Sequence, residues 1–136
     1  MANYSAESQG IVNLASPYSV AETLDRLEAL LKSKRVKVFL RINQQLEAQQ
    51  VGLDLKPTEL LLFGNPSAGT PLMNVSSSVA LDLPLKVVAW EDDEGHVWLS
   101  YNSFAYLQQR HRLSDDLMQK IAGSEGLIRA ALQAPE

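Results

Sequence analysis

The sequence predicts an α+β fold: a single, mainly antiparallel sheet of about five strands, with the long helices packed on one face. Three observations lead there. Val36, Val38, Leu40 and Ile42 alternate with Lys37, Phe39 and Arg41, which is a period-two strand with one apolar face. Val20, Leu24, Leu27 and Leu31 recur at helical spacing instead. Asp92-Asp93-Glu94-Gly95 separates two apolar runs and has hairpin chemistry, a glycine in a short polar loop. A hairpin forces antiparallel pairing, so a purely parallel, doubly wound sheet does not fit. A length of 136 residues predicts a single domain over 1–136, large enough to bury a real core.

The elements follow in order. Residues 10–14 form a short strand candidate. Ser19-Val20-Ala21-Glu22 fits a capping box and opens an amphipathic helix over 19–32. The strand at 36–42 comes next. Asn43 caps a short helix over 44–50, which stops at Gly52. Glu59-Leu60-Leu61-Leu62-Phe63 is a continuous apolar run between proline and glycine boundaries, as in a strand buried on both faces. Residues 64–84 read as a connection with one helical turn near Pro71-Leu72-Met73. The hairpin strands occupy 85–91 and 96–101. Asn102-Ser103 caps a short helix carrying Phe104, Tyr106 and Leu107. Ser114-Asp115-Asp116 opens the last helix with a cap and two acids at its positive end. Gly123 and Gly126 are expected to break or bend that helix before it resumes over 127–132.

Composition narrows the function classes. The net charge of −4 argues against nucleic acid, which is bound through clustered Lys and Arg. The one dense basic stretch, residues 32–37, reads as a solvated helix end. Absence of cysteine excludes disulfides, thiolate catalysis and cysteine-ligated zinc. The N-terminal MANYSAESQG has neither the basic nor the apolar region of a secretory signal. No apolar run is long enough to span a bilayer. The expectation is a soluble, cytoplasmic protein.

Several motifs go beyond pattern. The run 59–66, ELLLFGNP, followed by 68–73, AGTPLM, resembles the hallmark of a bacterial and archaeal family known as domain of unknown function 302. So do Leu81-Asp82-Leu83-Pro84-Leu85-Lys86-Val87, Trp90-Glu91-Asp92 and the run 97–102, VWLSYN. The similarity covers about residues 8–133. It implies a fold of the TATA-binding-protein-like class with core order β-α-β-β-β-β-α, and a small dimeric protein. It implies no reaction. Family members often carry Asp-His where this chain has Asn43-Gln44. Asn and Gln cannot titrate, so acid–base or metal chemistry at that pair would be absent here. Asn and Asp cap helices about equally well, which favours a capping role.

Candidate chemistry concentrates in the Gly64–Leu72 segment. Asn65, Ser67 and Thr70 offer side-chain hydrogen bonds, and Gly64 and Gly69 allow unusual backbone angles. Such a segment leading into a helix could present backbone amides to an anion, or it could be a tight connection only. It lacks the spacing of either common phosphate loop. His96 and His111 have no paired-ligand spacing, no metal site is expected, and both read as surface residues. Glu91-Asp92-Asp93-Glu94 reads as a solvated hairpin tip. No serine has a His or Asp at a suggestive local spacing, so a hydrolase triad finds no support. Trp90 and Trp98 are expected close together on a sheet face with polar neighbours, either as ordinary cross-strand packing or as a dimer interface or ligand platform.

The preferred reading is a homodimer without enzymatic activity that binds a small anionic or amphiphilic ligand. Its site would combine Asn65, Ser67, Gly69 and Thr70 with Arg41, Lys86 and Tyr101 from neighbouring strands. No cofactor is expected, and the partners are a second copy and a small molecule, with no nucleic acid and no membrane. An alternative is an enzyme whose acid–base groups, among Glu91, Asp82, His111 and Tyr101, assemble in space. A third is a structural or protein-interaction module.

Overall fold

The computed structural model describes residues 10–134; all but the last residue of the MANYSAESQG segment lies outside them. Strands β1 (Ile11–Ser16), β2 (Lys37–Asn43), β3 (Thr58–Gly64), β4 (Leu85–Glu91) and β5 (Val97–Asn102) form one sheet in the order β1-β5-β4-β3-β2. Every pairing is antiparallel. Among the described residues five α-helices accompany it: α1 (Val20–Ser33), α2 (Gln44–Gln50), α3 (Pro66–Val75), α4 (Phe104–His111) and α5 (Asp115–Ala131). The core order β-α-β-β-β-β-α is present, with α2, α3 and α4 as additions.

Strand alternation sets the layers. Leu61, Phe63, Leu85, Val87, Ala89, Leu99 and Tyr101 point to one face and are buried. Leu24, Leu27 and Leu31 of α1 and Ile121 and Ile128 of α5 close over them in the same core. The other face carries Leu40, Leu60, Leu62, Val88, Trp90 and Trp98 and stays at least partly open. Trp90 and Trp98 pair across β4 and β5, with ring centroids 6.4 Å apart at 28°. The Trp90 indole donates to the Ser100 hydroxyl at 2.8 Å, and that hydroxyl donates on to the Asn13 side chain in β1.

Capping follows the sequence. Ser19, Asn43, Asn65, Ser103 and Ser114 each accept a backbone N–H from the first turn of their helix. Asn43 Oδ1 accepts from the Leu46 amide at 3.0 Å, so the Asn43-Gln44 pair starts α2.

Two expectations fail. The expected connection over 64–84 contains a ten-residue helix, α3, and a 3₁₀ turn over Ser77–Leu81. Gly, Pro, Ser and Thr make this stretch a poor helix former, but Leu72 is fully buried and anchors it. Pro66 at the first helical position and the Asn65 cap supply the start that the composition hides. Helix α5 runs unbroken through Gly123 and Gly126. Burial of Met118, Ile121, Ile128 and Ala131 on one stripe holds it together.

Candidate functional site

Strand β2 begins where β3 ends, and β4 begins beside them. At this end of the sheet the chain leaves a cavity of about 590 Å³. Its walls are apolar: Val36 and Phe39 from β2 and its approach, Ala68 and Met73 from α3, Leu83 and Leu85 leading into β4, and Ile121 and Leu127 from α5. Small residues keep it wide. Gly64, Gly69, Gly123 and Ser124 all face it, and a methyl group placed on Gly123 would meet nothing within 4 Å. A register shift between Val38 and Leu40 makes Phe39 a bulged residue, which turns its ring to the cavity instead of into the sheet pattern.

The polar groups are few. Asn65 and Thr70 line one side, and Lys34 and Lys120 stand exposed at the rim. Neither lysine makes an ion pair with the described residues. The α3 N-terminus offers no cradle of free amides. The Ser67 N–H donates to Asn65 Oδ1 at 3.2 Å, and the Ala68 and Gly69 N–H groups donate to the Asn65 carbonyl at 2.9 Å. The Ser67 hydroxyl also donates to Asn65 Oδ1, at 2.8 Å. The segment therefore turns the chain with its own hydrogen bonds and shapes a wall; the positive charge comes from side chains.

The sequence-named residues divide. Asn65, Gly69 and Thr70 line the cavity, and Ser67 does not. Arg41 lies elsewhere, on the helix-covered side of β2. Its guanidinium binds Asp25 at 2.7 Å, Glu28 at 3.2 Å, Glu59 at 2.9 Å and the Ala21 carbonyl at 3.1 Å. Burial lowers its pKa, but hydrogen bonds to Asp25, Glu59 and Glu28 outweigh that and hold it above its ordinary value. Lys86 sits on the open face and donates to the Pro84 carbonyl at 3.1 Å. Burial pulls its pKa down, partly offset by Asp82. Tyr101 faces the helices and donates to Glu125; burial first, then that carboxylate, pushes its phenol well above the usual range. Arg41, Lys86 and Tyr101 thus do not join Asn65 and Thr70. Sequence reading missed Lys34, Lys120 and Phe39, although Lys34 lies in the basic stretch.

Two further corrections concern titratable groups. Asp92 is buried, not solvated. Its carboxylate accepts from the Trp98 indole at 3.0 Å and from the Glu94 and His96 amides at 2.9 Å, so it staples the hairpin. The Trp98 hydrogen bond, more than the two amides, holds its pKa below the ordinary value. His111 is buried, not on the surface. Its Nε2 lies 2.5 Å from Asp82 Oδ2 and its Nδ1 2.9 Å from the Ser78 hydroxyl. Distant segments thus assemble a Ser-His-Asp set that local spacing could not reveal. Glu91, the remaining acid–base candidate, closes β4, where its amide donates to the Pro57 carbonyl at 3.1 Å.

Comparison with known proteins completes the picture. A crystal structure of an uncharacterized conserved DUF302 protein from Bacillus stearothermophilus superposes with a TM-score of 0.74 and 23% identity, covering 91% of this chain and 96% of that one. The fluoride-specific ion channel FluC 1 of Brucella suis biovar 1 is 48% identical over 104 residues, which is 76% of this chain and 41% of that protein. FluC 2 of Brucella melitensis biotype 1 matches equally over 38% of its length. The chain therefore spans well under half of these curated relatives. No helix among the described residues is long and apolar enough to cross a membrane. The model of the family described as Domain of unknown function DUF302 matches residues 12–133, and the chain belongs to that family.

Proposed function

We propose that this chain is a cytoplasmic binding domain for a small amphiphilic anion, held with its apolar part in the cavity beside α3 and α5. The observation that carries the reading is the cavity itself: about 590 Å³, walled by Phe39, Met73, Leu83 and Leu127, with Lys34 and Lys120 at its rim. That volume is within the range of small-molecule sites, and such sites combine apolar walls with few polar groups. Two exposed ammonium groups attract an anionic head without fixing its geometry.

Titration with decanoate and with decanol, read by thermal shift and calorimetry, tests this. Decanoate is expected to bind and raise the melting temperature. The double substitution K34Q/K120Q should weaken decanoate roughly tenfold, about 1.4 kcal/mol, and leave decanol unchanged. Binding of neither compound, or an equal loss for both, overturns the reading.

The same reading includes a homodimer through the open sheet face, where Leu40, Leu60, Leu62, Val88, Trp90 and Trp98 form an apolar stripe interrupted by Lys86 opposite Leu62. A self-complementary face suits a twofold contact. Light scattering is expected to give twice the chain mass, and L40D/L62D to give a monomer. A wild-type monomer at high micromolar concentration overturns the dimer.

A second reading draws on the channel-named relatives. Since no helix among the described residues is long and apolar enough to cross a membrane, the domain would act beside a channel and not as one. Fluoride release from liposomes by this chain alone would overturn that.

A further inference from the structure

The Ser78–His111–Asp82 set lies outside the cavity and has a separate chemistry. We propose that Ser78 is an activated nucleophile that takes an acyl group from an activated ester. Ser78 is exposed in the 3₁₀ turn between α3 and β4. His111 closes α4, and its ring is buried. Asp82 follows the turn, also buried, and receives a second donor, Arg110 Nη1, at 3.1 Å.

The roles follow from which nitrogen faces which partner. An Asp82 carboxylate accepts only, so His111 Nε2 carries the proton on that side. Nδ1 then has a free lone pair, and it faces the Ser78 hydroxyl at 2.9 Å. Nucleophile, base and orienting acid are thus in hydrogen-bond sequence, as acyl transfer requires. The two ring nitrogens are exchanged relative to serine proteases, which leaves the proton balance unchanged. A histidine kept only for packing would be satisfied by interior partners. This one spends its basic nitrogen on a hydroxyl that solvent and substrate can reach. Val75 and Leu81 flank the turn as large, exposed apolar side chains, so an unhindered aryl ester has a surface to rest on.

In the step, Ser78 Oγ forms a bond to the acyl carbon as the bond to the leaving oxygen breaks. The hydroxyl proton passes to His111 Nδ1 and from there to the leaving alcohol. Water repeats the sequence on the acyl-serine and restores the hydroxyl.

The test treats the folded chain with 4-nitrophenyl acetate and with a fluorophosphonate, then maps adducts by peptide mass spectrometry. Ser76 and Ser77 in the same segment are internal controls. Modification is expected at Ser78 in at least about tenfold preference over both, and D82N should slow it by roughly 10²-fold or more, because the amide no longer holds the imidazole in the tautomer that accepts the Ser78 proton. Absence of adduct, even labelling of the three serines, or a rate unaffected by D82N overturns the proposal. Should D82N fail to fold by circular dichroism, S78C and S77C are compared for iodoacetamide alkylation in the otherwise intact protein. Alkylation of S78C about tenfold faster than S77C supports an imidazole-activated position, and equal rates overturn it.

Discussion

Replacing the two glycines of α5 by alanine gives a prediction whose stability and binding outcomes separate. Gly123 and Gly126 both sit in the interior of a seventeen-residue helix. A methyl group at either position would meet nothing within 4 Å, so neither substitution carries a steric cost. Glycine in a helix interior costs about 0.5–1 kcal/mol relative to alanine. At about 2.1 cal/mol/K per residue, a chain of 136 residues has an unfolding entropy near 0.29 kcal/mol/K. Each substitution should then raise the melting temperature by roughly 2–3 °C, and the pair by roughly 3–7 °C if the sites act independently. The binding outcome differs because only Gly123 lines the cavity. G123L should retain or raise stability while weakening decanoate, and G126L should leave decanoate unchanged. Scanning calorimetry and a decanoate titration on each variant read both effects. A fall in melting temperature for G123A alone would mean that the cavity wall is occupied, and the account of an open site would fail.

Other perturbations test the framework. R41A leaves Asp25, Glu28 and Glu59 facing each other without their shared cation, and urea unfolding should register a loss of about 1–3 kcal/mol. The loss should shrink as salt screens the three carboxylates. Asp92 has a folded pKa below its unfolded one, so its contribution is full above the ordinary carboxylate pKa of about 3.9 and vanishes as pH falls through the lower folded value. The stability gap between wild type and D92N, measured by urea titration, should therefore be constant near neutrality and close as pH drops below about 4. Gly10 adopts φ +75°, and a methyl group there would lie 2.5 Å from the Tyr106 ring. G10A should cost roughly 1–3 kcal/mol in thermal unfolding, and less in a Y106A background, where the ring clash is gone and the backbone strain and the 3.1 Å approach to the residue 106 Cβ remain.

What was legible in the sequence was local. Leu24, Leu27 and Leu31 announced α1, the Asp92–Gly95 tip announced the hairpin, and the Ser19, Asn43, Ser103 and Ser114 caps each lie one residue before their helix. Helix α3 was illegible because its evidence is tertiary: Leu72 goes into the core of a stretch whose composition argues against helix. The same holds at the site. Asn65, Gly69 and Thr70 could be singled out from one segment, whereas Lys34 and Lys120 reach that place from the ends and middles of other helices. Phe39 was unreadable because a bulge is a property of pairing register, not of one strand. Ser78 and His111 meet across thirty-three residues, beyond any spacing rule. Arg41 misled for the opposite reason. An arginine on a strand beside apolar neighbours looks like a ligand group, and here it is consumed by three carboxylates of its own chain.

The strand order has an entropic consequence. Strands β2 through β5 join neighbours that are close in sequence, whereas β1 must find β5 across most of the chain, Ile11 opposite Asn102. Of the four pairings this one closes the longest loop and carries the largest closure entropy. Loss of the β1 pairing would bare the β5 edge as a template for another chain.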